Sequence, residues 1–126
     1  MTFARINSGK RGEEIAVSYL KRQGYKIIER NYKTKLGEID IIADCEGCIC
    51  FIEVRTRNNQ AFGLPEETIL KKKQLQITKT ALAYIKRYDL EDKNCKFDVV
   101  SVQNVDSLEP EIKLIKNAFD LDTRWR

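Results

Sequence analysis

The stretch Gly37-Glu38-Ile39-Asp40-Ile41-Ile42-Ala43-Asp44-Cys45-Glu46-Gly47-Cys48-Ile49-Cys50-Phe51-Ile52-Glu53-Val54-Arg55 decides the fold. Two apolar runs flank Glu46-Gly47, so residues Glu38 to Asp44 and Ile49 to Arg55 read as strands joined by a turn. If Glu46-Gly47 is a two-residue hairpin turn, opposed residues have numbers summing to 93. That register sets Asp40 opposite Glu53, Glu38 opposite Arg55, Ile42 opposite Phe51 and Cys45 opposite Cys48, each pair on one sheet face. A slip of one residue would send Asp40 and Glu53 to opposite faces. Two facing carboxylates among isoleucines repel, and neither has a turn or cap to serve. A shared divalent cation resolves the conflict, which makes the pair a candidate metal site.

Upstream, Ser8 is placed to cap a helix that runs to about Gln23, with Gly24 as its stop. Ile15, Ala16, Tyr19 and Leu20 recur at helical spacing and define its buried stripe. Glu13 stands three residues before Ala16 and seven before Leu20, at the edge of that stripe, whereas Glu14 falls on the polar side. Glu13 is therefore the inward carboxylate, although an early glutamate also suits the positive helix end without further role. Residues Tyr25 to Asn31 read as the first strand.

Downstream, Asn58 to Leu64 form a polar, glycine-bearing loop of the kind that contacts substrate. Pro65 opens a second helix that carries an inward stripe of Ile77, Ala81, Leu82, Tyr84 and Ile85 through to Tyr88. Lys73 lies four residues before Ile77 and in line with that stripe, so it either reaches toward the site or snorkels from the core edge. Lys96 to Val102 and Ile112 to Ile115 complete the strands, with a turn at Asn104-Val105-Asp106-Ser107. Asp98 has no evident partner and reads as structural. The charged tail carries Trp125, which either covers the core edge or stacks on a base.

The 126 residues fit one domain, 1–126, with a single core. No apolar run reaches the roughly 20 residues needed to span a bilayer, and the first residues lack a signal-peptide stretch, so a cytoplasmic protein is expected. Lys and Arg exceed Asp and Glu by 23 to 19, a mild +4. The cations cluster, however: Lys10, Arg11, Lys21 and Arg22 load the first helix, Lys71 to Lys73 form a run, and Arg55 and Arg57 follow Glu53. Such clusters are phosphate-contact candidates as well as ordinary solvated faces. The chain has 0 histidines, which excludes imidazole acid-base and Ser-His-Asp chemistry. Cys45-Glu46-Gly47-Cys48 has knuckle spacing, but a zinc site would need Cys50 and the distant Cys95, and reduced structural thiols are the simpler reading.

Taken in order, Gly12-Glu13-xx-Ala16-xx-Tyr19-Leu20, Gly24-Tyr25, Arg30-Asn31, Gly37-Glu38-Ile39-Asp40-Ile41-Ile42-Ala43, Phe51-Ile52-Glu53-Val54-Arg55-x-Arg57, Phe62-Gly63 and Phe97-Asp98-Val99-Val100 resemble the YraN-like family of small bacterial proteins. The resemblance covers nearly the whole chain. It implies an α/β fold with a restriction-endonuclease-like core, a central mixed β-sheet flanked by helices, within the PD-(D/E)xK superfamily that includes archaeal Holliday-junction resolvases. In that superfamily a helix glutamate, a strand aspartate and a Glu-x-Lys on the next strand build a metal-dependent phosphodiesterase. The resemblance assigns those roles to Glu13, Asp40, Glu53 and the position of Arg55. Arg55 departs from the pattern, because arginine does not give up a proton as a lysine can.

The reading these residues support is a nucleic-acid-binding endonuclease that acts on branched or structured DNA with Mg²⁺ or Mn²⁺. Asp40 and Glu53 ligate the metal, Glu13 orients the attacking water or a second metal, and Arg55 clamps the scissile phosphate. Arg57, Lys73, Lys10 and Arg11 contact the nucleic acid. The alternative is a non-catalytic nucleic-acid-binding module on the same fold, favoured by Arg55. Analogy with the resolvases makes a homodimer attractive, and no residue of the sequence itself marks one.

Overall fold

In a computed structural model, residues 2–57 and 71–119 are described, with side chains from residue 9 onward. The helix α1 (Thr2–Arg22) is followed by β1 (Lys26–Thr34), β2 (Gly37–Cys45), β3 (Cys48–Arg57), α2 (Lys71–Arg87), β4 (Cys95–Gln103) and β5 (Glu111–Phe119). The five strands form one mixed sheet in sequence order, with β3 and β4 parallel and every other pair antiparallel. The parallel pair requires a crossover, and α2 lies on it. The expected α/β architecture is thus the observed one. Asn58 to Leu64, Pro65 and the Trp125 tail lie outside the described residues.

Ser8 does not cap α1. The helix extends back to Thr2, because a capping preference yields wherever the backbone ladder continues through the residue. The C-terminus behaves as its glycine dictates. Gly24 has φ 94°, Tyr25 N–H reaches Leu20 O at 3.0 Å, and Gly24 N–H reaches Lys21 O at 3.1 Å. This double bond pattern is a Schellman motif, and its apolar contact is Tyr25 beside Leu20 in the core. The turn at Glu46-Gly47 has φ of 53° and 85°, the paired positive values of a type I′ hairpin. Asp44 Oδ1 accepts the Gly47 N–H at 2.9 Å and tightens it.

The two helices cover opposite faces of the sheet. Ala16, Val17 and Leu20 of α1 pack with Ile41, Ala43, Cys50, Ile52, Val100 and Val102, while Ile77, Ala81, Tyr84 and Ile85 of α2 pack with Ile39, Ile42, Phe51 and Phe97. Neighbouring residues such as Cys50 and Phe51 therefore serve different cores, as the strand period requires. The inward stripe expected for α2 is the buried one.

Asp98 does have partners. Its Oδ1 accepts the Asn117 N–H at 2.9 Å, its Oδ2 accepts the Tyr25 hydroxyl at 2.9 Å, and Lys96 Nζ lies 3.5 Å from Oδ2. The first bond fills a gap in the sheet. Pairing jumps from Phe97↔Phe119 to Val99↔Ile115, and the surplus β5 residues bulge around Asn117, which has φ 53°. This bulge lets β5 continue to Phe119, well beyond the Ile115 expected from the sequence. Burial, then the Asp98 charge, raises the Tyr25 phenol far above its ordinary value, so it stays a donor at any physiological pH.

Replacing Asp98 by Ala strands Lys96, the Tyr25 hydroxyl and the Asn117 N–H together, and should cost about 3–5 kcal/mol in urea unfolding. Tyr25→Phe removes the hydroxyl's bond to Asp98 and its long contact with Lys96, and should cost about 1–2 kcal/mol. Equal small losses for both would show that solvent replaces the network.

Candidate active site at a fork in the sheet

The hairpin register follows the sum of 93 from Cys45↔Cys48 through Ile41↔Ile52, and there the β2–β3 pairing ends. Beyond it the Asp40 side chain takes over, with Oδ2 accepting the Val54 backbone N–H at 2.8 Å. The strands part at this point. β3 continues with β4 to Arg57↔Gln103, while β2 continues with β1 down to Thr34↔Gly37. Glu38 accordingly pairs with Lys33 of β1, not with Arg55. Simple pleat counting fails here because it assumes an unbroken ladder.

The side-chain alternation slips at the same place. Ile41 packs on the α1 side and Ile39, two residues away, on the α2 side. In β1, Arg30 reaches α1 and Tyr32 joins the α2-side core. Between Arg30↔Ile41 and Tyr32↔Ile39, the register places Asn31 opposite Asp40, and Asn31 has φ 53°. A left-handed residue in the edge strand and a ladder break in its neighbour thus share one kink.

Asp40 and Glu53 meet across the fork, not as a laddered pair. Glu53 is 12% exposed at its side chain, and α2 contributes Lys73, whose Nζ stands 3.7 Å from Glu53 Oε2. Burial first, then the charge of Asp40 and a hydrogen bond with it, push the Glu53 carboxyl from 4.5 up to about 8, against the opposing pull of Lys73 and Arg55. The cations therefore compensate the pair only in part. At neutral pH Glu53 therefore keeps its proton or awaits another positive charge.

The α1 side of the fork opens into a cleft of about 610 Å³ lined by Glu13, Arg30, Asn31, Glu38, Asp40 and Lys10, among others. Glu13 is the inward glutamate, 17% exposed against 67% for Glu14. Gly12 is what brings it close. A Cβ at Gly12 would collide with the Thr56 side chain, down to its Cβ at 3.0 Å, so glycine lets α1 approach β3 at this point. Glu13 does not complete a three-carboxylate cage, however. Its Oε1 is bonded to Arg30 and Asn31, and among the described residues no three His, Cys, Asp or Glu side chains converge on a metal position. Asp40 and Glu53 thus fit a divalent cation by their donor chemistry and their only partly compensated charge, and Glu13 shares the cleft wall with Asp40.

The remaining sequence candidates sit around this centre. Arg55 is close enough to Glu53 to favour its charged form. Lys10 is an exposed part of the cleft wall. Arg11 is 3.6 Å from Asp106, both exposed. Arg57 gives its carbonyl to Val105 N–H at 3.3 Å at the far end of β3. Arg30 and Asn31 carry no role in a motif-based assignment, yet they line the cleft. An asparagine inside a strand, a residue type that tolerates the left-handed region, is the sequence signal that marks them.

The thiols do not form a four-cysteine centre. Cys45, Cys48 and Cys50 pack on the α1 side, whereas Cys95 packs on the α2 side. Burial pushes the Cys50 thiol up to about 12 and raises that of Cys48, which keeps both protonated. All four are free thiols.

The Glu53 shift has a pH consequence. A carboxyl whose folded value exceeds its unfolded one stabilises the fold fully below about 4.5 and loses that contribution as pH rises through about 8. Metal-free protein should therefore melt at falling temperature between pH 5 and 8, and Glu53→Gln should flatten that slope. A slope unchanged by the substitution would place the titration elsewhere.

Comparison with known proteins gives the family. The model of "Uncharacterised protein family UPF0102" matches residues 12–102, which spans the glycine of α1, the fork and β4. Curated UPF0102 proteins align over nearly full length: that of Trichlorobacter lovleyi is 48% identical over 114 residues, covering 90% of each chain. That of Persephonella marina is 46% identical over 114 residues, covering 90% of this chain and 94% of its own. That of Geotalea uraniireducens is 47% identical over 113 residues, covering 90% and 89%. No helix among the described residues is long and apolar enough to cross a membrane. The forked mixed sheet between two helices and the full-length likeness lead to one conclusion: the chain belongs to the UPF0102 (YraN-like) family, within the restriction-endonuclease-like superfamily.

Proposed function

We propose that this protein is a cytoplasmic, Mg²⁺- or Mn²⁺-dependent endonuclease that hydrolyses phosphodiester bonds in branched or structured DNA. What carries the reading is the half-buried Asp40–Glu53 pair at the strand fork, under-compensated by Lys73 and Arg55, with Asp40 lining a cleft. A structural pair of like charges would be a net liability in this position; a pair that receives a cation is not.

Asp40 and Glu53 would hold the ion, with Glu13 on the cleft wall that Asp40 shares. When bound, it supplies Lewis acidity toward the phosphoryl oxygens and acidifies water near neutral pH, which a chain with 0 histidines needs. Arg55 takes a non-bridging oxygen of the scissile phosphate and offsets charge as it builds in the transition state. It does not act as a base, because a guanidinium stays protonated. Lys73, beside Glu53, would offer its ammonium to the phosphate. Its side chain is 42% exposed and long enough to swing. Lys10, Arg11 and Arg57 contact flanking phosphates, and the exposed Arg11–Asp106 pair, of small net worth, yields to such a contact. Two copies acting on two strands account for a preference for junctions.

A second reading, a nucleic-acid-binding module without turnover, draws on two observations. Arg55 occupies the lysine position, and Glu13 is engaged by Arg30. One assay separates the two: fluorescent four-way junction, flap and linear duplex DNA with Mn²⁺, beside Asp40→Asn and Arg55→Lys. Metal-dependent cutting that vanishes in Asp40→Asn and rises in Arg55→Lys is the expected result. Equal, salt-sensitive DNA binding by all three proteins with no cutting would establish the binding module instead.

A further inference from the structure

Glu13 holds its place through an unusual set of bonds. Oε1 accepts from Arg30 Nε at 3.3 Å, from the Arg30 terminal nitrogen at 3.1 Å and from Asn31 Nδ2 at 3.0 Å. All three donors converge on one carboxylate oxygen, and they come from two successive residues of one strand. Regular pleating forbids that arrangement, since adjacent strand side chains point to opposite faces. It occurs here because Asn31 is left-handed, φ 53°, and the turned backbone brings its amide round to the face that Arg30 already occupies. The same guanidinium also donates to Glu14 Oε2 at 2.8 Å, which fixes its outer edge to α1.

We infer that Arg30-Asn31 is a positioning pair of the proposed site: by saturating Oε1 of Glu13, it presents Oε2 to the cleft that Asp40 lines. The inference rests on the nuclease reading above and adds to it two residues that act through Glu13. A simple staple between β1 and α1 would need only the Arg30–Glu14 ion pair at the rim. It would not require a left-handed asparagine aligned with Asp40 in the strand register, nor three bonds on a side chain that is only 17% exposed. Long glutamate side chains sample many rotamers, and fixing one oxygen removes most of that freedom. Carboxylates around metal sites are commonly oriented by such outer hydrogen bonds, whose loss lowers metal affinity or rate by about 10- to 100-fold.

The test uses three variants. Asn31→Gly keeps the left-handed backbone but removes the amide, Asn31→Asp keeps the shape but turns a donor into a repelling acceptor, and Arg30→Lys keeps the charge without the fork. Mn²⁺ affinity by calorimetry, single-turnover cutting of the junction and thermal midpoint are read on each. Asn31→Gly should melt like the wild type yet bind Mn²⁺ about tenfold more weakly, and cut more slowly by a similar factor at unchanged DNA affinity. Asn31→Asp should lose more, and Arg30→Lys should fall between. Wild-type Mn²⁺ affinity and rate in Asn31→Gly would overturn the inference alone. A wild-type protein that neither binds Mn²⁺ nor cuts would remove the nuclease reading and the positioning role with it. If wild type binds Mn²⁺ without cutting, the affinity comparison decides.

Discussion

The hydrogen bond from Val54 N–H to Asp40 Oδ2 is the constraint on which the rest of this structure turns. A backbone N–H inside a sheet must find an acceptor, and ordinarily the neighbouring strand supplies a carbonyl. Here a side chain supplies it, so β2 need no longer track β3 and the two strands separate. The separation opens one face to α1 and the cleft, while leaving Glu53 against α2. Asp98 solves the same problem at the other side of the sheet, accepting the Asn117 N–H where β5 bulges. In both places a carboxylate substitutes for a missing ladder partner, but only Asp40 does so beside a second buried acid.

That second acid gives the fork its chemical tension. At the fork the Glu53 carboxyl comes within hydrogen-bond reach of Asp40 although the two are not laddered partners. Burial and like charge then drive the Glu53 carboxyl up to about 8, and Lys73 and Arg55 relieve the pair only partly. The fold tolerates this because the site lies between two separate cores, one under each helix, that do not depend on it. Local frustration is affordable where the surrounding packing is complete.

The glycine at 12 and the asparagine at 31 show how the frame serves the cleft. Gly12 trades a side chain for close approach of α1 to Thr56, and Asn31 trades regular pleating for two donors on one face. Each breaks a local rule of its element. Together they bring Glu13 to the cleft wall it shares with Asp40 and hold it there.

The hairpin was readable from residue numbers because a two-residue turn with Glu46-Gly47 leaves one register, and hydrophobic periodicity alone separated Glu13 from Glu14 and gave the buried face of α2. The mild charge balance and the absence of histidine likewise bound the chemistry from the sequence alone. Tertiary structure alone decided the fork, the slip in side-chain alternation, the partners of Asp98 and the separation of Cys95 from the other thiols. The physical reason is range. Period and turn chemistry are properties of a few consecutive residues, whereas a ladder break is settled by which distant group, a carbonyl or a carboxylate, reaches a given N–H first.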